Sequence, residues 1–522
     1  MAKIKIESLT KKLYIVVSNR VGATMKVREI INSINGPTYT KHFLKGDEKP
    51  SSFDIDMAQT SGVVHSEGDT WQWSHFAFLD GEEAAKKLHS EKERIAINYL
   101  GKKVSTKVFG TIESNHVASD DQLTIFGKEI IDQKAIGQIK NCLTEDSIGV
   151  LTADSHYGYG HPIGGAIAYK NAISVSGVGF DIACGNYAVR TNIKADDLDI
   201  SKVMDEVFKR VSFGMGQPNS ELVKDHEVFD KIAKANFEPQ RKFYALAKTQ
   251  LGTVGGGNHY VDIFRDDFGM VWIGVHFGSR GFGHKTATGF IALSQGLEFA
   301  DRAKEGSMDS KPVLLDINSE LGQAYIEAMN LASDYAYAGR ETVVNKVLEI
   351  LGAEKDIEVH NNHNLAWLEE HFGDKYWVVR KGCTPAFPGQ LGFIGANMRD
   401  TSVIIEGVDS ELSKKGLYST VHGAGRIMSR TQAAGKKKWI KDKNGKKKPV
   451  TIAPGLIDFD DVKKEMKDRK IELRGANSEE APGAYKTLEE VLAYQGDTIK
   501  ILHRLHPIGV AMAGDEYDEY KD

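Results

Sequence analysis

Short apolar runs alternate with glycine-rich segments over most of the chain from about residue 108 onward. Short runs bounded by Gly, Asn, Asp and Ser are typical of β-strands. The segments after these runs carry most of the reactive side chains, as in enzymes whose rigid elements hold functional loops. The clearest examples are IGVLTADSHYGYGHPIGG, VSGVGFDIACGN, LGTVGGGNHY, VWIGVHFGSRGFGH, IEVHNNHN, VVRKGCTPAF and STVHGAGR. The pattern predicts a mixed α–β body with functional residues on loops at strand ends.

Residues 1–107 show a different pattern, and we interpret them as an N-terminal accessory region. They combine short β-type runs such as LYIVVS with an acidic, lysine-rich stretch, GEEAAKKLHSEKERIAINYL, that predicts a helix. They contain no cluster of reactive side chains. At the other end of the chain, residues 515–522 form an acidic tail that is expected to fray.

Charge is distributed unevenly along the chain. The 67 Lys and Arg against 72 Asp and Glu give a net charge of −5, which argues against nonspecific coating of nucleic acid. Residues 436–448, KKKWIKDKNGKKK, are the exception, with eight lysines and one aspartate. Asn444-Gly445 at their centre is a type I′ turn signal, so this lysine ribbon is predicted to be a basic hairpin inserted into the catalytic body. A solvated hairpin is one interpretation, and an RNA contact is the other.

The composition fits a soluble protein of the cytoplasm. Among 522 residues, 41% are hydrophobic and 27% charged, which excludes a disordered, collagen-like or coiled-coil chain. No apolar run reaches the roughly 18–20 residues of a membrane span, and the start of the chain lacks the apolar core of a secretory signal. The three cysteines, Cys142, Cys184 and Cys383, are too few and too scattered for a disulfide framework.

Histidines are concentrated in one third of the chain, and most stand beside Gly, Asn or Ser. A lone histidine is more often structural than a ligand, but several on glycine-rich loops, with a Cys and an Asp available, favour a metal site. The group comprises His259, His276, His284, His360, His363, His371 and His422. His360 and His363 share the segment HNNHN, and the preceding IEV predicts a strand end, so one of the two is expected to be structural.

Asp181 and Cys184 place a carboxylate and a thiol three residues apart, directly after the small-residue run VSGVGF. A thiolate can bridge two divalent ions, whereas a carboxylate suits a harder one. A buried turn cysteine is the alternative interpretation. With His259, His276 and His363, the pair supplies the O, S and N donors of a dinuclear Mn, Fe, Co or Zn site.

His422 differs from the other histidines because it precedes Gly-Ala-Gly-Arg and the stretch RIMSRTQAA, which predicts a helix. Backbone N–H groups and the positive helix end would then face a phosphate. Imidazole can attack phosphorus and leave again from a phosphoramidate, so His422 is a candidate nucleophile. A phosphate-binding or capping role is the alternative. Arg280, in FGSRGFGH, is a second candidate phosphate contact because guanidinium is a rigid fork of donors.

Taken in order along the chain, these segments resemble the signature motifs of the RtcB-type RNA ligases. The motifs are SHYGYGHPIGGAIA, GVGFDIACGN, GGGNHY, HFGSRGFGH, HNNHN, RKGCTPAF, NMRDTSVIIEG, VHGAGRIMSR and APGAYKT. The resemblance covers residues 108–514 and implies an α+β fold, an RtcB-type catalytic body. It implies an enzyme that uses GTP and two Mn²⁺ ions to join RNA 3′-phosphate or 2′,3′-cyclic phosphate ends to 5′-hydroxyl ends. The reaction would pass through a guanylyl-histidine, in tRNA splicing or RNA repair, with an accessory activating protein as a further partner.

The resemblance also implies roles for individual residues. The two Mn²⁺ sites would share Cys184, with Asp181, Cys184 and His259 in one and Cys184, His276 and His363 in the other. His422 would be the guanylylated nucleophile, and Arg280 would face RNA or pyrophosphate. The nucleotide contacts would be Asn258, His259, Tyr260, Val261, Asp262, Gly395, Ala396, Asn397, Met398, Ser402, Gly423, Ala424, Gly425 and Tyr485.

The chain departs from the family pattern at the expected guanine contacts. Asp262 stands where family members commonly have Glu, and Met512 lies near the place of a lysine, so ATP stays open as the nucleotide donor. Two other functions are also open. One is a di-metal phosphohydrolase or cyclic phosphodiesterase acting on RNA ends, and the other is a non-catalytic RNA-binding protein that uses the lysine ribbon. The intact VHGAGR and the full set of ligand positions favour the ligase.

Overall fold

A computed structural model describes most of the chain beyond residue 109 and six strands before it. The described residues are 110–114, 116–303, 308–441 and 447–515, with the strands between residues 14 and 108. The predicted Asn444-Gly445 turn lies outside the described residues, as do the acidic residues 516–522.

The strands are numbered in chain order. They are β1 Tyr14–Val17, β2 Thr24–Lys26, β3 Gly62–Glu67, β4 Thr70–Phe76, β5 Arg94–Tyr99, β6 Lys102–Val108, β7 Thr111–Ile112, β8 Leu123–Ile125, β9 Ile148–His156, β10 Ile163–Tyr169, β11 Ala172–Ser174, β12 Gly185–Lys194, β13 Ser212–Phe213, β14 Thr253–Gly255, β15 Tyr260–Asp266, β16 Met270–Phe277, β17 Leu314–Asp316, β18 Lys355–Asn362, β19 Asn364–His371, β20 Asp374–Lys381, β21 Cys383–Pro385, β22 Leu391–Ile394, β23 Ser402–Gly407, β24 Ser419–Val421, β25 Lys436–Lys441, β26 Lys447–Ala453, β27 Glu472–Arg474 and β28 Ile499–Met512.

The helices of the described residues are numbered in the same way. They are α1 Gln133–Cys142, α2 Val175–Val178, α3 Ile200–Arg210, α4 Glu227–Ala233, α5 Glu238–Arg241, α6 Tyr244–Gln250, α7 Arg280–Ser294, α8 Glu320–Leu351, α9 Glu411–Lys415, α10 Arg430–Ala434, α11 Phe459–Asp468 and α12 Leu488–Ala493. Among the helices that the structure describes, none is both long and apolar enough to cross a membrane.

One of two compact units contains Met1–Glu113, Gly289–Ala303 and Leu314–Ala324. Within it, β1, β5 and β6 form one sheet, β2, β4 and β3 form another, and β7 pairs with β17. Strand β5 contradicts part of the predicted N-terminal helix, whose first residues, 81–93, lie outside the described part. The apolar residues Ile95, Ile97 and Tyr99 stand at alternate positions, which is the period of a strand, and β5 pairs with both β1 and β6.

The other unit contains Ser114–Thr288, Lys304–Val313 and Tyr325–Asp522. Its central sheet has the strand order β18-β12-β16-β15-β28-β23-β22, and β27 pairs with β28. A second sheet has the order β19-β20-β10-β9-β8, and β21 pairs with β24. Sheets that are largely antiparallel, together with helices grouped elsewhere along the chain, confirm the predicted α+β class. The predicted domain boundaries stay a prediction.

One face of the central sheet packs on helices. Val343 and Val347 of α8 and Met204 of α3 form a fully buried cluster with Ile263 of β15 and Ile273 of β16. Removal of this apolar surface from water stabilises the sheet by roughly 1.5–3 kcal/mol for each large side chain. The packing fixes the strands that carry the candidate functional residues.

Helix α10 is shorter than the stretch RIMSRTQAA predicts. It begins at Arg430, because Ser429 is the N-cap and forms a capping box with Gln432. Arg426 instead pairs with Tyr485 in an isolated β-bridge. The prediction that the whole stretch RIMSRTQAA, from Arg426 onward, is helical is therefore wrong, and a helix of one turn adds little dipole to the site.

The strands β25 and β26 pair antiparallel, with Lys436 opposite Ala453 and Lys441 opposite Lys447. This pair coincides with the predicted hairpin, and it extends past the predicted end at residue 448. A contact between the lysine ribbon and RNA stays a prediction.

We expect Gly274→Ala to lower the free energy of unfolding by about 1–3 kcal/mol, the usual cost of overpacking. Gly274 lies on β16, and a Cβ there would be 2.6 Å from Phe264 Cε2 and 3.0 Å from the Phe393 ring. Both rings are buried and cannot move away cheaply. Urea unfolding followed by circular dichroism measures the change.

Gly137→Ala is the matched control. Gly137 lies in α1, and a Cβ there meets no atom of the described residues within 4 Å. Because alanine is a better helix former than glycine, this variant should be as stable as the wild type or more stable by up to about 1 kcal/mol. Equal stability of the two variants would contradict the packing argument.

Candidate active site

Four neighbouring strands of the central sheet bring the predicted metal ligands to one edge. Cys184 directly precedes β12, His276 lies near the end of β16, and His363 directly follows β18. Because β16 and β18 both run antiparallel to β12, their ends lie beside its start. His259 precedes β15, which pairs with β16 on the other side. The sheet therefore collects one cysteine and three histidines at a single edge.

The sulfur of Cys184 belongs to two groups of possible ligands. It lies 3.6 Å from His259 Nε2 and 3.7 Å from His276 Nε2. His259 Nε2 is also 3.1 Å from Asp181 Oδ2. The ligand atoms of each group lie within 4.8 Å of one another, and the groups are Asp181, Cys184 and His259, and Cys184, His276 and His363. These are the two sets that the family resemblance implies, while the binding of metal by them stays a proposal.

Hydrogen bonds to the outer ring nitrogens aim two of these histidines at the shared sulfur. His259 Nδ1 lies 3.0 Å from the Val254 carbonyl oxygen, and His276 Nδ1 lies 2.7 Å from Asn186 Oδ1. A ring that donates from Nδ1 keeps its lone pair on Nε2. Metal-ligating histidines show the same pattern, in which one ring nitrogen is held by a hydrogen bond and the other is free to bind the metal.

Burial acts in opposite directions on the histidines and on the cysteine of the candidate metal site. It lowers the pKa of His276 and of His363 well below the ordinary range, with a further contribution from neighbouring histidines, so both rings are neutral at pH 7. His363 Nδ1 is buried and has no hydrogen-bond partner among the described residues. Burial, and then the charge of Asp181, raises the pKa of the Cys184 thiol, and a bound cation would favour the thiolate. This mixture of O, S and N donors suits a divalent transition metal, with Mn, Fe, Co and Zn as the candidates.

His422 follows β24 directly and is held by a buried carboxylate, Asp154 of β9. Asp154 Oδ2 lies 2.6 Å from His422 Nδ1 and accepts the backbone N–H groups of His422 at 3.0 Å and Gly423 at 3.3 Å. These two N–H groups therefore face Asp154 and not a phosphate, contrary to the prediction. Within the described part of the chain, His422 Nε2 makes no hydrogen bond. The ring centroid lies 4.9 Å from that of His363.

Asp154 is a functional residue that the sequence reasoning missed. Its side chain is fully buried. Burial opposes its ionisation, but the His422 ring and the hydrogen bonds from His422 and Thr152 lower its pKa overall. A carboxylate inside the apolar run GVLTADSH is the signal that points to it, because a buried acid requires a partner.

The two histidines of HNNHN have different surroundings. His363 lies in the Cys184 group, whereas His360 stacks on Tyr187 with ring centroids 4.1 Å apart. His360 Nε2 accepts a hydrogen bond from Arg340 Nε at 2.8 Å. Their separate positions agree with the expectation that one of the two is structural.

The two candidate ligand groups and His422 line one cavity of about 840 Å³, which is large enough for a nucleotide. Val261 and Ser402 do not belong to the lining. Val261 packs into the core, and the Ser402 hydroxyl accepts the Ala396 N–H at 2.9 Å. The predicted nucleotide contacts that do line it are Asn258, His259, Tyr260, Asp262, Gly395, Ala396, Asn397, Met398, Gly423, Ala424, Gly425 and Tyr485.

Arg280 lies against His259 and outside the cavity lining. Its Nη1 is 3.2 Å from His259 Nδ1. A Cβ at Gly255 would be 1.5 Å from Arg280 Nη2, so this position, with φ of +84°, requires glycine. The contact of Arg280 with RNA or pyrophosphate stays a prediction.

Basic side chains on the cavity wall are a second feature that the sequence reasoning missed. Glu480 accepts hydrogen bonds from Arg430 Nε at 2.9 Å and Arg426 Nη1 at 3.1 Å. The two guanidinium groups carry N–H donors that suit phosphate, and the charges of both Glu480 and Glu479 act on Arg430. Burial lowers the pKa of Lys381 to about 8. The basic residues of the lining are Lys134, Lys381, Arg426, Arg430 and Lys486.

Comparison with known proteins places the chain among RNA-joining enzymes. A family model described as RtcB, tRNA-splicing ligase, matches residues 142–245 and 230–513. A protein of Archaeoglobus fulgidus named tRNA-splicing ligase RtcB is 30% identical over 470 aligned residues, which cover 73% of this chain and 92% of the relative. The RNA-splicing ligase RtcB of Escherichia coli K12 is 29% identical over 387 residues, covering 68% of this chain and 87% of the relative. The candidate residues from Asp154 to Met512 all lie inside the matched part.

We expect Cys184→Ala to abolish occupancy of at least one of two divalent metal ions, because both candidate groups contain this sulfur. The remaining donors would hold an ion with two ligands in each group, too few for tight binding. Equilibrium dialysis against Mn²⁺, followed by metal analysis of the protein, measures the number of ions bound.

Cys142→Ala is the matched control. The Cys142 thiol is also buried, but it donates to the Gln138 carbonyl and has no part in either group. This variant should bind as many ions as the wild type. Wild-type stoichiometry in Cys184→Ala would show that the sulfur is not a ligand.

Proposed function

The chain belongs to the RtcB family of tRNA-splicing ligases and is an RNA ligase, and on this premise we propose its reaction. It joins RNA ends that carry a 3′-phosphate or 2′,3′-cyclic phosphate to ends that carry a 5′-hydroxyl. GTP and two Mn²⁺ ions are its cofactors, and His422 carries the guanylyl intermediate. The observation that carries the proposal is the Asp154–His422 pair beside the Cys184 groups.

The first step is attack by His422 on the α-phosphorus of GTP. Its Nδ1 lies 2.6 Å from Asp154, which leaves the Nε2 lone pair free for phosphorus. A bond from Nε2 to phosphorus forms, the bond to the bridging oxygen breaks, and pyrophosphate leaves. The positive charge that the ring gains is stabilised by the Asp154 carboxylate, as in other carboxylate–histidine pairs.

Two further transfers complete the reaction. An oxygen of the RNA 3′-phosphate attacks the guanylyl phosphorus and releases the His422 ring. The 5′-hydroxyl then attacks the activated 3′-phosphorus and expels GMP, so that the strand is sealed. A cyclic phosphate must first be opened by water.

Metal ions have a defined place in this scheme. Asp181 with Cys184 and His259 would hold one Mn²⁺, and Cys184 with His276 and His363 the other. When bound, such ions neutralise phosphate charge and polarise phosphorus. The basic cavity wall adds to this neutralisation from the side of Arg426 and Arg430.

The nucleotide base is proposed to bind near Asp262 and Met512. Both side chains line the cavity, and Asp262 Oδ1 is buried with no hydrogen-bond partner among the described residues. A buried polar atom without a partner is costly, so a bound base that donates to it would be favoured. Guanine and adenine both carry an amino donor that could fill this role, so the contact alone does not select the base, and GTP is proposed because the family resemblance implies it.

The RNA substrate is a pair of tRNA halves in splicing or a cleaved RNA under repair, with an accessory activating protein as a further partner. We propose a cytoplasmic location. The three cysteines are free thiols, which supports a reducing compartment.

We predict that His422 becomes covalently guanylylated when the protein is incubated with Mn²⁺ and α-labelled GTP in the absence of RNA. A phosphoramidate is stable in alkali and labile in acid, so the label should survive base and be lost in acid. His422→Ala should remove both the label and ligation but keep metal binding. His506→Ala is the control, because this side chain is half exposed and bonds to Asp267.

Labelling by ATP in place of GTP would keep the mechanism and contradict the base specificity. Absence of label from both nucleotides, in folded and metal-loaded protein, would contradict the ligase mechanism. It would then favour the di-metal phosphohydrolase or cyclic phosphodiesterase.

We predict that Asp154→Asn slows the formation of the guanylyl adduct roughly 10²- to 10⁴-fold, the range typical of a disrupted acid–base pair. The amide has nearly the same size but cannot stabilise the charged ring. Single-turnover labelling measures the rate. Metal content should stay at the wild-type value, and a rate within about threefold of wild type would remove Asp154 from the mechanism.

A further inference from the structure

Arg340, on helix α8, is a fully buried cation outside the cavity lining. Among the described residues it forms no ion pair with a carboxylate, unlike Arg380, the other fully buried arginine, which bonds to Glu369. Burial of a charge without an opposite charge costs several kcal/mol. A neutral residue would avoid this cost, so the position of the guanidinium requires an explanation.

The hydrogen bonds of Arg340 reach the neighbours of three proposed metal ligands. Its Nη1 donates to the Ala183 carbonyl at 2.9 Å and to the Phe277 carbonyl at 2.7 Å. Its Nη2 donates to Asn362 Oδ1 at 2.6 Å. The three acceptors directly adjoin Cys184, His276 and His363 in the sequence, the members of one candidate group.

The orientation of the guanidinium is fixed from the opposite side. Arg340 Nε donates to His360 Nε2, and burial lowers the pKa of His360, so that its ring is neutral and accepts. His360 is packed between Tyr187 and Tyr337, with ring centroids 4.1 and 4.0 Å away. Asn362 is held in turn by its bond to Ser333 Oγ at 2.9 Å. These contacts therefore hold the guanidinium group of Arg340 in one orientation.

We propose that Arg340 is a positioning residue that ties the start of β12 to the ends of β16 and β18 and thereby sets the spacing of Cys184, His276 and His363 for a metal ion. This inference rests on the metal site of the proposed function. The planar guanidinium group donates at once to two backbone carbonyls and to the Asn362 side chain, on three separate segments, whereas the lysine ammonium is a single point with a different geometry.

The test compares Arg340→Lys with Arg380→Lys, using Co²⁺ as the probe because its thiolate and ligand-field bands report ligand geometry. Arg340→Lys should bind Co²⁺ roughly 10-fold more weakly, the lower end of the effect of losing a direct partner of a metal ligand, because Arg340 acts through the residues next to the ligands. Its thiolate-to-Co²⁺ band should also be weaker or shifted at saturation. Arg380→Lys should lower the melting temperature and leave the Co²⁺ affinity and spectrum unchanged. Calorimetry, absorption and thermal melts are measured on the full chain.

The outcomes separate this inference from the proposed function. If the wild type binds no Co²⁺ or Mn²⁺, the metal site itself is wrong. If the wild type binds and folded Arg340→Lys matches its affinity and spectrum, the role of Arg340 is wrong. If Arg340→Lys does not fold, Asn362→Ser decides, because it removes one of the three ties and keeps the arginine. Weaker Co²⁺ binding by Asn362→Ser supports the inference, and wild-type binding overturns it.

Discussion

The thiol of Cys184 is shared by both groups of possible metal ligands, and the surrounding structure is constrained by this sharing. The start of β12 lies between the ends of β16 and β18, which supply His276 and His363 of one group. The other group is completed by Asp181, just before β12, and by His259, just before β15. Parallel neighbours would have placed His276 and His363 at the opposite edge of the sheet.

The pair of Asp154 and His422 adds a second part to the same cavity. Asp154 comes from the second sheet and His422 from the short β21–β24 pair, and their bond places a histidine beside the ring of His363. A buried carboxylate of this kind is stabilised when its hydrogen bonds are complete, and it also fixes the ring tautomer. The proposed nucleophile therefore lies directly beside a proposed metal ligand, His363.

The sequence predicted residues whose chemistry is visible locally. The ends of apolar runs carry Cys184, His259, His276 and His363. The end of a strand can be recognised from the few residues around it, so these positions could be predicted. Asp154 and Arg340 were not found because their partners are remote in sequence, and no local pattern predicts which acceptor a buried charge will meet.

Local patterns also gave wrong predictions in segments where a helix competes with β pairing. The stretch after His422 contains good helix formers, yet its first residues pair with Tyr485 and the capping box of Ser429 starts the helix later. Strand β5 is a similar case, since pairing on both sides outweighs helix propensity.

The position of β28 in the central sheet has a consequence for biosynthesis. It is the last strand in the described chain, yet it lies inside the central sheet between β15 and β23. During translation, the earlier strands leave the ribosome with this place unfilled, and their unpaired edges must wait for residues 499–512. A nascent chain therefore cannot complete the central sheet until residues 499–512 have been synthesised, and the edges of β15 and β23 that face β28 stay unpaired until then.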